Sequence, residues 1–147
     1  MIELADLAAS SAFGAWLAGQ VRPGDVITLE GPLGAGKTSI ARGLLAALGL
    51  AGEAPSPSFA IVQPYDPPEV RLPVLHIDLY RIDSPEEMAE LGLDEAAQDS
   101  LLIVEWPERA GLGYWPDALS LMIDVDGSGR RLTAQVPEAW RARWAQR

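Results

Sequence analysis

Eight consecutive residues, 31–38, have types and a spacing that suit phosphate binding: Gly-Pro-Leu-Gly-Ala-Gly-Lys-Thr. They match the pattern G-x-x-x-x-G-K-[ST] without a gap. Glycines permit the backbone angles that turn successive N–H groups toward an anion. The Lys37 ammonium can bridge the β- and γ-phosphates of a nucleotide, and the Thr38 hydroxyl can bind Mg²⁺. The residues expected to contact the nucleotide are Gly34, Ala35, Gly36, Lys37, Thr38 and Ser39.

A chance glycine-rich turn is the alternative explanation of this segment, and its surroundings argue against it. Residues 26–29 form an apolar run, as expected of a strand buried on both faces of a parallel sheet. Residues 37–48 follow as a helix rich in Ala and Leu that ends at Gly49. Lys37 is the only lysine in the chain, against ten arginines. The strand, loop and helix together predict nucleotide binding.

Two acidic residues end apolar strands and can complete a phosphate site. Asp78 follows the run 74–77, and Glu105 follows the run 101–104. Because the carboxyl ends of parallel strands share the edge of the sheet that holds a phosphate loop, both carboxylates are expected near the γ-phosphate. There an acid holds Mg²⁺ or its water. The alternative for each is a solvated acid at the end of a strand.

Three other side chains near these motifs have less specific roles. His76 shares a strand face with Asp78, and we expect it to be packed and hydrogen-bonded. Trp106 follows Glu105 and belongs either to the core or to a partner surface; the sequence leaves both open. Arg130, in a predicted hairpin, is a candidate to reach the nucleotide.

The elements around these motifs predict an α/β fold: a single-domain, P-loop NTPase-like layered structure with a mostly parallel central sheet, helices on both faces and a C-terminal hairpin. The hairpin strands 119–125 and 131–136 flank Asp126-Gly127-Ser128-Gly129. Further strands are predicted at 2–4, 59–62 and 74–79. Helices are predicted at 6–21, from Pro85 to Gly92, at about 94–98 and at 138–146.

Composition bounds the class of protein. The 147 residues, of which 48% are hydrophobic and 22% charged, are enough for one domain spanning 1–147 with one core. A net charge of -10 argues against a basic surface for nucleic acid. The chain has no cysteine, which excludes disulfides and thiolate metal sites. The first six residues carry acids where a signal peptide needs bases, and no apolar run approaches the roughly 20 residues of a membrane span. A cytoplasmic protein without membrane contact is expected.

Absent residue types also narrow the nucleotide and the reaction. Guanine-specific GTPases read their base with an Asn-Lys-x-Asp element, which a chain with no Asn and one Lys cannot contain. ATP with Mg²⁺ is therefore favoured. Nucleotide kinases need an arginine-bearing lid and an acceptor site, and residues 53–110 offer only Arg71, Arg81 and Arg109. A small-molecule P-loop kinase stays the alternative enzyme, and a nucleotide-sensing module the alternative without catalysis.

Taken together, the motifs resemble the TsaE (YjeE) family over roughly residues 10 to 125. The Asp-Leu-Tyr-Arg and Glu-Trp-Pro elements are not general features of phosphate-loop proteins, which makes the resemblance specific. The segments that carry it are 31–38 with Arg42-Gly43, Ser56-Pro57-Ser58-Phe59, His76-x-Asp78-Leu79-Tyr80-Arg81, Glu90-Leu91-Gly92 and Val104-Glu105-Trp106-Pro107-Glu108.

The resemblance implies a compact α/β ATPase with two protein partners, TsaB and TsaD. With threonylcarbamoyl-adenylate, that pair modifies the adenosine beside the anticodon of tRNAs that read codons beginning with A. The ATPase does not transfer the group and meets tRNA only through the complex; its hydrolysis of ATP resets the partners between turnovers.

The resemblance also implies roles for individual residues. Thr38 and Glu105 would bind Mg²⁺, Lys37 would hold phosphates, and Asp78 would position the attacking water or the metal. Ser56 and Ser58 would lie in a switch-like loop. The family usually has Thr at the position of Ser58; serine keeps the hydroxyl and lacks the stiffening methyl.

The acidity of the chain is concentrated in residues 51–110, which hold thirteen acids and three bases. Seven of these acids form a run without Lys or Arg between Arg81 and Arg109, typical of a solvated face. We expect this face to help dock the partner proteins. Its members are Asp83, Glu86, Glu87, Glu90, Asp94, Glu95 and Asp99.

Overall fold

The computed structural model describes residues 2–32, 34–52, 61–111 and 113–147, and these form seven strands and five α-helices. The strands are β1 Ile2–Leu4, β2 Val26–Glu30, β3 Val62–Tyr65, β4 Val74–Asp78, β5 Leu101–Glu105, β6 Leu119–Asp126 and β7 Gly129–Gln135. The helices are α1 Leu7–Ala18, α2 Lys37–Ala47, α3 Pro85–Glu90, α4 Leu93–Ala96 and α5 Arg141–Trp144, with short 3-10 helices at Pro107–Ala110 and Glu138–Trp140.

All described strands join one sheet in the order β1-β7-β6-β2-β5-β4-β3. The four central strands, β6, β2, β5 and β4, run parallel, whereas β1, β7 and β3 pair antiparallel. The β6 and β7 strands form an antiparallel hairpin, since only two residues connect them. The predicted α/β fold is confirmed, with a parallel centre and antiparallel edges.

Alternation along β5 separates the two layers that cover the sheet. Leu101 and Ile103 pack into the larger core with α1 and α2. Leu102 and Val104 point the other way, into a smaller core that includes Met88 of α3 and residues of α4. Helices therefore cover both faces, as predicted. By the same alternation, Glu105 lies on the α1 and α2 side.

The bounds of three predicted elements differ from those in the structure. The strand predicted at 59–62 is observed as β3, Val62–Tyr65, and residues 59 and 60 lie outside the described ranges. Pro64 is tolerated there because β3 is the edge strand of the sheet. The helix predicted at 138–146 is a 3-10 turn followed by the single turn α5. Helix α1 ends at Ala18 because Gly19 caps it.

Within the described part of the chain, no helix is both long and apolar enough to cross a membrane.

Helices α1 and α2 touch through two glycines. A Cβ built on Gly43 would lie 2.4 Å from the Ser11 carbonyl oxygen and 2.8 Å from its Cα. A Cβ on Gly14 would lie 2.2 Å from the Ile40 carbonyl oxygen. The backbones are in direct contact, so no side chain fits between them. This contact fixes the position of α2, whose first residue is Lys37.

The substitution Gly43→Ala tests this packing. We expect it to lower the free energy of unfolding by about 1–3 kcal/mol, since the added methyl must push two backbones apart. Urea denaturation followed by circular dichroism measures the change. Gly19→Ala is the matched control, because the nearest heavy atom to its Cβ is 3.5 Å away and its φ is -75°. Equal stability of both variants would contradict the close contact.

Candidate nucleotide-binding site

The phosphate loop connects β2 to α2 and depends on glycine at three described positions. Gly31, Gly34 and Gly36 have φ angles of +152°, +79° and +103°. Gly31 also has no room for a side chain, since a Cβ there would lie 2.3 Å from the Ile123 carbonyl oxygen of β6. Gly36 is the N-cap of α2, so the first N–H groups of that helix open onto the loop.

Lys37 lies folded against the loop and is only 5% exposed. Its Nζ donates hydrogen bonds to the carbonyl oxygens of Gly31 and Pro32, the latter at 3.2 Å. The same atom lies 4.1 Å from the centre of the Trp106 ring. Burial lowers the pKa of Lys37, and nearby carboxylates, Glu105 first among them, oppose that shift. The ammonium is thus held by neutral oxygens, which phosphate oxygens can replace.

Glu105 joins three elements through its two carboxylate oxygens. The Thr38 hydroxyl, in the first turn of α2, donates to Oε1 at 3.3 Å. His76 Nε2, on β4, lies 2.7 Å from Oε2. Glu105 is 3% exposed and His76 is fully buried. A hydroxyl and a carboxylate oxygen, the ligand types that suit Mg²⁺, therefore lie side by side. The expectation of a packed, hydrogen-bonded His76 is confirmed.

The geometry also fixes how His76 uses its ring. Since a carboxylate only accepts hydrogen bonds, the Nε2 nitrogen must carry the proton that it donates to Glu105. Its other nitrogen, Nδ1, is buried without a hydrogen-bond partner among the described residues. His76 thus orients the Glu105 carboxylate so that Oε1 faces Thr38.

Asp78 lies beside Glu105 on the neighbouring parallel strand, as the two residues are register partners. Its Oδ1 accepts a hydrogen bond from the Tyr80 amide at 2.9 Å. Burial raises the pKa of Asp78; the Tyr80 hydrogen bond opposes this shift, and the Glu105 charge adds to it. Asp78 lines the cleft, and among the described residues no hydrogen bond ties its second carboxylate oxygen to the loop.

Trp106 covers the lysine end of the site in a conformation unusual for its residue type. Its φ is +59°, and it is the one non-glycine residue with positive φ in the described ranges. Its ring lies 4.9 Å from that of Tyr80, and the Arg109 guanidinium lies 5.3 Å from the Tyr80 ring. The sequence left Trp106 open between core and surface; the structure places it half-buried at the wall of the cleft.

Arg130, on β7, holds the loop from the other side. Its Nε donates to the Ala35 carbonyl oxygen at 2.8 Å and its Nη2 to the Gly34 carbonyl oxygen at 3.1 Å. A third bond, from Nη1 to the Gly129 carbonyl oxygen at 2.9 Å, fixes the guanidinium to its own strand. Sequence reasoning named Arg130 as a candidate for the nucleotide but missed its contact with the loop. The position of Arg130 directly after the hairpin turn was the only feature of the sequence that could have indicated this contact.

These groups surround one cleft of about 290 Å³. The structure brings together the predicted loop residues and both strand-end acids, whereas Ser56 and Ser58 lie outside the described residues. In the described part of the chain, no three His, Asp or Glu side chains cluster as a metal site. A metal ion here would thus rely on Thr38, Glu105 and phosphate oxygens. The cleft is lined by Leu7, Gly34, Ala35, Gly36, Lys37, Thr38, Ser39, Asp78, Glu105, Trp106 and Arg130.

Substituting Asp78 by Asn tests the electrostatics of the cleft. Because the pKa of Asp78 is raised in the folded state, its ionised form opposes folding once the pH exceeds its ordinary value. We expect Asp78→Asn to be more stable than the wild type at pH 7, and the difference to shrink as the pH falls through the raised pKa toward the ordinary value of 3.8. Urea denaturation at several pH values measures this.

The control for that comparison is Asp99→Asn, which removes the same charge from an exposed side chain. It is expected to change stability by less than about 0.5 kcal/mol. A stability loss at pH 7 in Asp78→Asn, or a gain that does not depend on pH, would contradict the assignment.

Comparisons with known proteins identify the family of this chain. The sequence model of the family "Threonylcarbamoyl adenosine biosynthesis protein TsaE" matches residues 4–133. A crystal structure of YdiB from Bacillus subtilis superposes with a TM-score of 0.81 at 26% identity, covering 99% of this chain and 90% of that one.

Curated relatives are proteins named "tRNA threonylcarbamoyladenosine biosynthesis protein TsaE". The protein from Streptomyces coelicolor is 40% identical over 74% of this chain and 74% of its own length. That from Synechocystis is 43% identical over 72% and 69%, and that from Bacillus subtilis is 40% identical over 75% and 68%. The matched region contains the phosphate loop, Asp78, Glu105 and Arg130. This chain therefore belongs to the TsaE family.

Proposed function

We propose that this protein is a Mg²⁺-dependent ATPase, one domain spanning 1–147, that serves the threonylcarbamoyladenosine modification of tRNA. The observation that carries the proposal is the contact between Thr38 and Glu105 at the open end of a complete phosphate loop. It brings together a hydroxyl and a carboxylate, the two groups that would hold Mg²⁺ on a bound nucleotide. The family to which the chain belongs supports the pathway.

ATP is the proposed nucleotide. The chain contains no Asn and only one Lys, so it lacks the element with which GTPases read guanine. When bound, Mg²⁺ would neutralise charge on the phosphates; Thr38 and Glu105 would hold it. Asp78, which lines the cleft beside Glu105, would position the attacking water or the metal.

Arg130 prepares the loop for phosphate. In a trans peptide, the carbonyl of one residue and the N–H of the next point in opposite directions. Because Arg130 holds the Ala35 carbonyl, the Gly36 N–H is turned to the opposite side. The guanidinium thereby fixes the orientation of two loop peptides before a nucleotide arrives, which lowers the cost of binding.

Hydrolysis by the isolated chain should be slow. Around the cleft, in the part that the structure describes, Arg130 is the one arginine, and its donors are used on backbone carbonyls. A second cation at the γ-phosphate typically accelerates such reactions greatly. We therefore propose that the partners TsaB and TsaD regulate turnover, in the cytoplasm, and that tRNA is reached only through their complex. The switch-like role of Ser56 and Ser58 belongs to the same proposal.

A small-molecule kinase and a nucleotide-sensing module are the alternatives. Family membership fits neither of them as well as it fits the ATPase. A kinase would transfer phosphate to a nucleoside or sugar in preference to water. A sensing module would keep its function in cells as Asp78→Ala, provided that this variant still binds ATP.

The direct test measures ATP hydrolysis by the purified protein with and without the TsaB and TsaD proteins of the same organism. We expect a slow basal rate that rises at least tenfold with the pair, and no hydrolysis by Lys37→Ala, which lacks the phosphate-binding ammonium. Glu105→Gln is expected to lose turnover more than ATP affinity. An unstimulated wild type, or a Lys37→Ala variant that hydrolyses normally, would refute the proposal.

A second test addresses Arg130. Arg130→Lys keeps the charge but loses the fork that bonds two carbonyls, and we expect ATP affinity to fall about tenfold, as one charged hydrogen bond is worth about 1.5 kcal/mol. Titration calorimetry measures the affinity. Arg131→Lys is the matched control, since Arg131 pairs at the surface with Asp126 and Glu3. Equal affinities in the two variants would exclude the role given to Arg130.

A further inference from the structure

A second cavity, of about 600 Å³, opens on the face of the sheet opposite α1 and α2. Its floor consists of side chains of β2, β6 and β7. Successive side chains of a strand point to opposite faces of the sheet, so every second residue of these strands, such as Leu29 and Ile123, enters the larger core instead. Its wall is the segment after β5. We call this cavity the second groove and define it by Glu30, Glu108, Trp115, Met122, Thr133 and Gln135.

Among the described residues, none of those that line the second groove belongs to an α-helix, and part of its lining is apolar. The smaller core under α3 and α4 reaches only the β4 and β5 half of the sheet and the nearby side of β2. On the β6 side, Met122 is 44% exposed. Pro107, Tyr114 and Pro116 add apolar and aromatic surface to the wall. Apolar grooves with polar rims are typical of protein interaction sites.

Two carboxylates give this groove a definite charge. Glu30 and Glu108 both line it, and no salt bridge joins either of them to a base among the described residues. Burial raises the pKa of Glu30, and the charge of nearby Glu108 adds to the shift. At the wall, burial raises the pKa of Tyr114 and the charge of Asp94 on α4 adds to the shift, so a further acid lies near the groove.

We propose that the second groove docks an arginine-bearing segment of a partner protein, with the guanidinium between Glu30 and Glu108 and an adjacent apolar side chain against Trp115 and Met122. This deepens the proposed function, since it assigns the surface that meets the partner. Arginine fits better than lysine because its planar cation stacks on aromatic rings and binds two carboxylates. A nucleic acid is disfavoured, as its phosphates would meet these acids.

The second groove and the nucleotide cleft share the same backbone. Glu30 directly precedes Gly31, whose carbonyl holds Lys37. Pro107 and Glu108 directly follow Trp106, whose ring contacts the same ammonium. A partner that moves either segment therefore changes the surroundings of Lys37. If groove occupancy changes ATP affinity in this way, ATP changes the affinity of the groove by the same factor.

The test of the groove uses a short peptide, acetyl-Leu-Arg-amide, and the full-length protein labelled for NMR. We expect it to shift the Trp115 indole and Met122 methyl signals. The peptide in which neutral citrulline replaces arginine should bind at least fivefold more weakly. Absent shifts, shifts confined to other surfaces, or equal affinity of the two peptides would overturn the proposal.

Variants separate groove binding from general charge effects. Glu30→Gln combined with Glu108→Gln should weaken the arginine peptide at least fivefold. The control, Glu86→Gln combined with Glu87→Gln, removes the same charge from α3, outside the groove, and should leave the affinity within twofold. Circular dichroism verifies that both variants are folded. An equal loss in both would overturn the groove as the site, and so would no loss in either.

The partner pair distinguishes this inference from the proposed function. If the peptide binds as expected and the TsaB and TsaD proteins do not bind the chain, the groove stands and the assigned partners are wrong. If the pair binds the wild type and the groove variant equally well, the groove is not its docking site. If the pair binds the groove variant at least fivefold more weakly than the wild type, both the groove and the assigned partners are supported.

Discussion

The buried carboxylate of Glu105 is the interaction on which the arrangement of the site depends. A charge at 3% exposure is costly unless both of its oxygens accept hydrogen bonds. Here Thr38 supplies one donor from the start of α2 and His76 supplies the other from β4. Moving either element would leave one oxygen of this buried carboxylate without its donor. The carboxylate therefore holds helix α2, strand β4 and the loop in one geometry.

The rest of the site is assembled around that tie before any nucleotide is present. The glycine contact of α1 with α2 sets where the helix begins, and Arg130 sets the orientation of the loop peptides. Lys37 meanwhile binds backbone carbonyls and the Trp106 ring. Among the described residues no carboxylate forms a direct ion pair with this ammonium, which keeps its charge available for phosphate. Binding then exchanges contacts that already exist, with little ordering cost.

Much of this fold and site follows from local sequence pattern. The motif at 31–38 and the apolar runs before Asp78 and Glu105 predicted that a loop and two acids would meet at one sheet edge, and the register pairs those acids directly. The link between Arg130 and Ala35 joins residues 95 positions apart and depends on β7 returning beside β6. No local pattern encodes such a distant contact. The second groove could not be predicted from local pattern either, because it depends on which part of the sheet the described helices cover. The roles of Ser56 and Ser58 remain predictions.

In this site the pre-formed loop exchanges its own carbonyls for phosphate at Lys37. A crystal structure of the protein with Mg²⁺ and a non-hydrolysable ATP analogue tests this exchange directly. We expect the triphosphate in the loop, with Lys37 Nζ moved from the Pro32 carbonyl to within about 3 Å of a β- or γ-phosphate oxygen. A nucleotide bound elsewhere, with Lys37 still on the Gly31 and Pro32 carbonyls, would contradict it.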